Sequence, residues 1–318
     1  MFGTSSAQSG APVPASAQAL RNDVARVEAS LYARAEQMTR ASTECESCAE
    51  ALGETAAAAQ QRLAEAGGPW ERWEDQAGES TDAVPSPPDA PFTVGPLTGL
   101  MLASAGAQLK AAAASNELSS PERLALASIL AGRAGSALVL ANFYGIDVDK
   151  AIENLPEPLT ASLVAGEAAS AEEPASLPLE DAGPAADPLA LTPAQRALTE
   201  FDCARTLLLR AALPEVEAEE VASAARNLND RINLLVELGV ENHAGLRCSA
   251  PSVGLAAATT AAMQGDFALL ETDDLGLRQL AANYLLVDAR LWATWDPATV
   301  PTTSLLPIAE VEVEPDSR

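Results

Sequence analysis

Aromatic residues are scarce in this 318-residue sequence: they make up 4% of it, although 48% of the residues are hydrophobic. Alanine and leucine therefore supply most of the apolar surface, and both residues favour helices because they lose little side-chain entropy there. Runs of Val, Ile, Thr and Tyr that alternate with polar residues, as strands require, are nearly absent. The sequence predicts an all-α fold.

Positive charge is also scarce, with 19 basic against 45 acidic residues and a net charge of -26. A chain this acidic repels phosphate backbones and anionic lipids, which argues against nucleic-acid binding and membrane-surface binding. The most apolar window, Leu124 to Tyr144, contains Arg133 and two glycines. This composition suits a buried bundle helix better than a membrane span, so we predict no transmembrane helix.

The sequence has a single histidine, His243, and this excludes the usual di-iron site, which needs a Glu-x-x-His pair on each of two helices. No nucleophile motif accompanies His243, and no glycine-rich phosphate loop is present. We therefore predict no catalytic, cofactor-binding or metal-binding residue. A solvated or salt-bridged role is expected for the acidic residues of the predicted C-terminal helices, namely Glu200, Asp230, Glu237, Asp266 and Asp288.

Apolar residues at helical spacing predict two groups of helices. The predicted order is a flexible segment (1–14), an N-terminal helical domain (15–155), a linker (156–190), a four-helix domain (191–296) and a flexible tail (297–318). The linker contains seven acidic residues, no lysine or arginine, and repeated Pro and Ala, a composition typical of disorder.

Capping motifs mark several helix starts. Thr192-Pro193-Ala194-Gln195 is a capping box with proline at the first helical position. Ser120 is the predicted cap of the fourth helix, and Thr272 or Asp273 that of the last one. The polar residues of segment 226–233, which include Arg231, predict an outer or inter-domain salt-bridged face, and contact with a partner or with an inward-pointing acid is the alternative. The entries VGPLTGLMLASA and SAPSVGLAAATT resemble each other, which leaves duplication of the two halves open.

The second half resembles a ferritin-like domain of unknown function that occurs in exported actinobacterial proteins, often lipoproteins. The similar segments are ALTEFDCARTLLLRAAL, ARNLNDRINLLVELGV, CSAP and LAANYLLVDARLWATW, and LRNDVARVEASLYARAEQM resembles the helical region that precedes this domain. EFDCART departs from the family pattern, in which an acidic residue is followed by histidine. The resemblance implies a ferritin-like four-helix bundle and a cell-envelope location, but no chemistry.

The first residues bear on the compartment. MFGTSSAQSGAPVPASA has neither a basic segment nor an apolar one, so it is not a signal peptide. GTSSAQSGAPVPAS resembles the spacer after the lipid-anchored cysteine of lipoproteins. We expect an extracytoplasmic protein whose signal peptide is missing from this sequence, and a cytoplasmic protein is the alternative.

The four cysteines are Cys45, Cys48, Cys203 and Cys248. One C-x-x-C without a second pair argues against zinc, and a thioredoxin-like role would need a βαβ context. Cys45 and Cys48 are then either buried thiols or a disulfide clip, and we favour the clip. Of three connectivities, only Cys45–Cys48 with Cys203–Cys248 gives each domain its own bridge, which suits an oxidising envelope.

These observations predict a non-catalytic envelope scaffold that binds a protein or small ligand through a groove between helices. An atypical metal or thiol redox enzyme and a cytoplasmic structural module are the alternatives, and the sequence indicates no oligomeric state. The centre of the second bundle is expected to be apolar, and it would be formed by Ala197, Ala204, Leu208, Ala225, Leu228, Ile232, Leu280, Tyr284 and Val287.

Overall fold

The structure is a computed structural model, and it describes residues 16–42, 46–68, 90, 92–155, 191–211, 218–241 and 254–303. These residues form helices joined by turns, without a strand, so the all-α prediction is confirmed. The N-terminal half contains α1 (Ser16–Ala41), α2 (Glu46–Glu65), α3 (Val94–Ala114), α4 (Ser120–Tyr144) and α5 (Val148–Glu153), and the C-terminal half contains α6 (Pro193–Arg210), α7 (Ala218–Glu237), α8 (Leu255–Leu270) and α9 (Leu275–Trp295).

The helices begin at local capping signals. The Thr192 side chain accepts a hydrogen bond from the Gln195 amide and completes the predicted capping box. Two predicted caps were wrong by one or two residues: Ser119 caps α4, and Asp274 caps α9. Asp274 is selected because its carboxylate reaches the amide of Leu277 at 2.8 Å, which satisfies a free donor of the first turn.

Neighbouring helices pair in each half. In the N-terminal half α1 packs on α2 and α3 on α4, while in the C-terminal half α6 packs on α7 and α8, and α8 packs on α9. The two halves meet where α9 contacts α3 and α4 and where α8 contacts α4. One apolar cluster extends through both halves. The N-terminal segment 1–14 and the linker 156–190 lie outside the described residues.

Two arginines join the halves in a reciprocal way. Arg123, near the start of α4, donates to the carbonyl of Leu270 at the end of α8, over 2.7 Å. Arg278, near the start of α9, donates to the carbonyl of Ala113 at the end of α3, over 2.8 Å. Each guanidinium thus satisfies a free carbonyl at the negative end of a helix in the opposite half. Burial lowers the pKa of both arginines, and for Arg123 the charge of Arg278 contributes to the decrease.

Helix α4 is the central helix of the N-terminal half. Among the described residues it is the one helix that is long and apolar enough to cross a membrane, and 83% of its most apolar window is buried inside the protein. The core helix of a soluble protein has the same properties. The burial of Arg133 in its middle agrees with the predicted bundle helix.

The segment after α9 corrects the prediction of a flexible tail from residue 297. Its first residues cross α4, and we call Val300–Thr303 the strap. Backbone atoms of the strap lie so close to Gly132 and Gly135 that a Cβ atom at either glycine would overlap the carbonyl oxygens of Thr303 and Pro301. Glycine on α4 therefore makes this contact geometrically feasible. Residues 304–318 lie outside the described residues.

Candidate functional site

The centre of the C-terminal half holds a buried cluster of three charged side chains, which we call the C-terminal centre. Arg231 of α7 forms a bidentate pair with Asp288 of α9, with N–O distances of 2.7 and 2.8 Å. One guanidinium nitrogen also contacts both carboxylate oxygens of Asp266 of α8 at 3.2 Å. All three residues are buried. Asn227, one turn earlier on α7, accepts from Nε of Arg231 at 2.8 Å.

Two aromatic rings complete the C-terminal centre. The guanidinium carbon of Arg231 lies 3.8 Å from the centre of the Tyr284 ring and 5.3 Å from that of Phe201. A weakly hydrated guanidinium is well suited to such stacking. The arginine is therefore enclosed by acceptors at its edge and by aromatic rings over its face.

The C-terminal centre has one more carboxylate than cations, and this determines where a proton is held. Burial raises the pKa of Asp266 well above its usual range, and the charge of Asp288 and a hydrogen bond to it raise it further, against the opposing effect of Arg231. Burial alone would lower the pKa of Arg231, but Asp266 and Asp288 together raise it above its ordinary value. A proton on Asp266 makes the centre electrically neutral.

These contacts correct two expectations from the sequence. The centre of the bundle is not apolar, because Asp266, Arg231 and Asp288 meet there and their charges compensate one another. Arg231 also does not belong to an outer polar face, since it is 2% exposed. Val287, expected inside, is 41% exposed. One sequence signal was available: Arg231 follows Leu228 by one helical turn and thus continues the apolar stripe of α7.

The N-terminal half has a corresponding buried cluster, the N-terminal centre, that the sequence reasoning missed. Glu28 of α1 lies between Arg133 of α4, at 2.7 Å, and Arg62 of α2, at 3.0 Å. The three side chains are fully buried. Arg133 also donates to Ser104 at 3.1 Å and to Gln108 at 2.7 Å, both on α3.

The N-terminal centre has two cations and one carboxylate, so it carries an excess positive charge, whereas the C-terminal centre with its protonated Asp266 is neutral. Burial lowers the pKa of Arg133; Glu28 opposes this decrease and Arg62 adds to it. The strap supplies a further acceptor, because Arg62 donates to the carbonyl of Thr302. Ser136 of α4 donates to the same carbonyl at 3.1 Å and accepts from Arg62 at 2.8 Å.

The two centres occupy equivalent places in the two halves. When α4 is aligned with α9 so that Arg123 matches Arg278, Arg133 coincides with Asp288. The second helix of each half contributes the arginine that contacts the carboxylates, Arg62 or Arg231. Both halves thus place a buried arginine cluster where their four long helices converge.

Beside each centre lies a groove between the second and fourth helix of that half. The α7/α9 groove has a volume of about 400 Å³. Its lining includes Asn227, Leu228, Ala262, Asp288, Leu291 and Trp295. The equivalent α2/α4 groove is lined by Thr55, Ala58, Ser136 and Leu140 and by the strap, which leaves a space of about 560 Å³. The strap crosses the groove of the N-terminal half, whereas no described residue crosses the α7/α9 groove.

The remaining predicted site residues are not brought together. Asp230 and Glu237 are exposed, and Glu200 is partly buried on α6. Within the described ranges, no group of three or more His, Cys, Asp and Glu side chains is arranged to hold a metal ion. His243 lies outside these ranges.

Cys48 and Cys203 are disulfide-bonded and not free thiols. Their predicted partners, Cys45 and Cys248, lie outside the described residues, so the predicted connectivity stays a prediction.

Comparisons of the chain with protein-family models, with curated proteins and with solved structures found no match. The resemblance to the ferritin-like domain of exported actinobacterial proteins therefore stays a prediction.

Proposed function

We propose that this protein is a non-catalytic binding module of the cell envelope, and that its ligand enters the α7/α9 groove. The observation that carries the proposal is an open groove of about 400 Å³ whose floor is preformed by small and apolar side chains with one buried carboxylate. Concave apolar sites with a few fixed polar groups are typical of ligand pockets. The ferritin-like topology and the envelope location belong to the same proposal.

The arrangement of the charges favours binding over catalysis. The charged side chains of the N-terminal centre are fully buried, and those of the C-terminal centre are at most 3% exposed. A catalytic acid or base must reach the substrate. Of these groups, only the carboxylate of Asp288 lines a groove, and both of its oxygens accept hydrogen bonds from Arg231. The centres are accordingly assigned a structural role, in which they fix the four helices of each half.

The envelope location is supported by the state of the cysteines. Disulfides persist mainly outside the cytosol, and Cys48 and Cys203 are both disulfide-bonded. Cell fractionation of the native host, followed by labelling of accessible thiols with and without prior reduction, tests the location. A cytosolic protein whose four thiols label without reduction would refute the envelope proposal and favour the cytoplasmic structural module.

Binding to the α7/α9 groove can be tested with the neutral apolar dye N-phenylnaphthylamine. Ser223 is exposed and lines the groove, so Ser223→Trp should block it without disturbing the core. Ala222 is also exposed on α7 but does not line the groove, so Ala222→Trp is the matched control. We expect dye fluorescence to rise with the wild type and the control and to be largely lost with Ser223→Trp. Equal dye binding by the three proteins would refute the groove as the site.

A second measurement separates the proposal from an atypical metal enzyme. Protein purified without chelators is analysed for bound metals and then incubated aerobically with ferrous iron. We expect neither bound metal nor a thermal shift. One tightly held iron per chain, lost when Asp288 is replaced by Asn, would refute the proposal in favour of an enzyme.

A further inference from the structure

We propose that the α2/α4 groove is a second binding site, which takes the C-terminal carboxylate of an extended peptide in place of the strap. The inference goes beyond the proposed function, because it concerns the groove of the other half. It comes from the charge of the N-terminal centre: this centre has an excess cation, and the group that it holds in the groove is a neutral peptide carbonyl of this chain.

The N-terminal centre shares one carboxylate between two guanidiniums. Glu28 contacts Arg133 at 2.7 Å and Arg62 at 3.0 Å, and the three side chains are fully buried. The acceptors that Arg133 finds on α3, Ser104 and Gln108, are neutral. A net charge that is removed from water is costly unless an opposite charge compensates it. One further anion would therefore stabilise this centre.

Arg62 is the member of the centre that reaches the groove. One of its guanidinium nitrogens donates to the strap carbonyl of Thr302 and, at 2.8 Å, to Ser136, and both of these residues line the groove. Ser136 donates to the same carbonyl at 3.1 Å. The buried Nε of Arg62 has no acceptor in the part of the chain that the structure describes. A cationic donor and a hydroxyl thus converge on one acceptor, and such a donor set suits a carboxylate better than a neutral carbonyl.

The strap shows that the acceptor can belong to an extended backbone. Its main chain occupies the space that a Cβ atom at Gly132 or Gly135 would need, so this surface of α4 admits a peptide backbone. A peptide that ends at the position of Thr302 would lie on the same surface and would bring a carboxylate with two acceptor oxygens. Capture of a chain terminus by convergent donors is a recurring mode of peptide recognition. We therefore assign the site to a peptide terminus and not to a small acid.

The strap is held by few buried contacts. Of its four residues only Val300 is buried, at 8% exposed, and the other three are partly exposed. Segments with few buried contacts open locally at a lower cost than the core. The strap has the advantage of a high effective concentration, since it belongs to the same chain. A ligand that brings the compensating charge competes with it by its stronger polar contact.

Two acidic residues line the groove but lie far from the binding point. Glu50 and Glu54 are exposed, and they precede Arg62 on α2 by 12 and 8 residues. These separations correspond to about 18 and about 12 Å along a helix. Both exceed the Debye length of about 8 Å at physiological ionic strength. The two carboxylates therefore repel an anion at Arg62 only weakly.

Calorimetric titration of the full chain with two matched peptides tests the inference. Both have the sequence of residues 298–302, acetyl-Ala-Thr-Val-Pro-Thr, and one ends in a carboxylate whereas the other ends in an amide. We expect the acid to bind at least about tenfold more tightly than the amide, because its hydrogen bonds are charge-assisted. Val300→Ser, which loosens the strap, should increase the affinity for the acid about tenfold. Val236→Ser, the same change at an exposed valine, should leave it unchanged.

Variants of the donors assign the binding to the groove. Arg62→Gln removes the excess charge while Glu28 keeps its pair with Arg133, and it should abolish the preference for the acid over the amide. Ser136→Ala changes no charge and is the second variant; it should lower the affinity for the acid about fivefold. Arg40→Gln, which removes an exposed cation, is the matched control and should leave both affinities unchanged.

Three results would overturn the inference. Equal affinities for the acid and the amide would refute the carboxylate as the recognised group. Acetyl-threonine has the carboxylate without the peptide and should bind at least about tenfold more weakly than the acid peptide; equal binding would refute the peptide. If neither peptide binds to the Val300→Ser protein, the groove is not a peptide site. The dye assay concerns the α7/α9 groove, so the proposed function stands or fails independently of these results.

Discussion

The two carboxylates of the C-terminal centre should respond differently to the same substitution. Asp288 makes two short hydrogen bonds to separate nitrogens of Arg231, at 2.7 and 2.8 Å. Asp266 shares a single nitrogen of that guanidinium, with both oxygens at 3.2 Å, and burial raises its pKa. Asparagine resembles a protonated aspartic acid in shape and charge. Asp266→Asn therefore mimics the neutral form of the residue, whereas Asp288→Asn removes the ion pair.

The hydrogen-bond geometry of the two carboxylates gives the expected difference between the free energies of unfolding of the two variants. Asp288→Asn breaks a buried ion pair and turns an amide group toward the guanidinium, which should lower the free energy of unfolding by about 3–5 kcal/mol. Asp266→Asn keeps one acceptor oxygen near Arg231 and leaves the centre neutral. Its cost should be about 1 kcal/mol or less. The two variants should thus differ by at least about 2 kcal/mol, or about 30-fold in the unfolding equilibrium constant.

The effect of pH has a defined sign. Because the pKa of Asp266 is raised in the folded protein, the folded state holds this proton more tightly than the unfolded state. The resulting stabilisation is fully present below the unfolded pKa, and it is lost as the pH rises through the raised value. Asp266→Asn cannot lose a proton, so its free energy of unfolding should increase relative to that of the wild type between about pH 5 and about pH 8.

Urea unfolding followed by far-UV circular dichroism, at both pH values, measures these quantities. Glu237→Gln, a change at an exposed residue of α7, is the control and should cost less than about 0.5 kcal/mol. Equal losses for Asp266→Asn and Asp288→Asn would refute the assignment of the proton to Asp266. A relative decrease for Asp266→Asn at higher pH would do the same.

Further predictions concern the strap, the N-terminal centre, the disulfides and the linker. Gly132→Leu should displace the strap and increase hydrogen exchange of its amides, while the same change at Gly95, where an added Cβ meets nothing within 4 Å, should leave those amides protected. Glu28→Gln leaves two buried guanidiniums without a counter-ion and should lower the free energy of unfolding by about 3–5 kcal/mol; Glu36→Gln, at an exposed ion pair, should change it by about 1 kcal/mol or less. Non-reducing peptide mapping should find Cys203 linked to Cys248. This bond would close a loop of roughly 45 residues, which stabilises the folded protein by about 4 kcal/mol in chain-entropy models. Any other linkage would contradict the predicted connectivity. Limited proteolysis should cut first within residues 156–190, and the two fragments should co-elute on gel filtration because the halves share a core; uniform protection of this segment would contradict the predicted linker.

The helices were predictable because the signals that define them are local. Apolar residues at helical spacing indicated two groups of helices, and the Thr192 box marked the start of one of them. A hydrogen bond between a side chain and an amide three residues away depends on few other groups. Near α9, where several candidate caps follow one another, the choice of Asp274 depended on geometry and was missed.

The sequence also contained signals for the two charged centres. These signals could not be interpreted without the residues of other helices, which are far away in the chain. Arg62 and Arg231 each continue an apolar stripe, and Arg123 and Arg133 have the same spacing as Arg278 and Asp288. An arginine on an apolar stripe is either exposed at its edge or paired inside. Which of the two applies depends on the residues of other helices that face it.

Composition and periodicity by themselves determined that this chain forms helices in two groups, and the capping motifs indicated where some of them begin. Only the tertiary structure decided that Asp266 and Asp288 meet at Arg231, that residues 300–303 cross one groove, and that no described residue crosses the equivalent groove. Helix formation is governed by hydrogen bonds and side-chain entropy within a few residues of each position. The pairing of buried charges is governed by desolvation and by partners far away in the chain, and these become neighbours only when the helices pack.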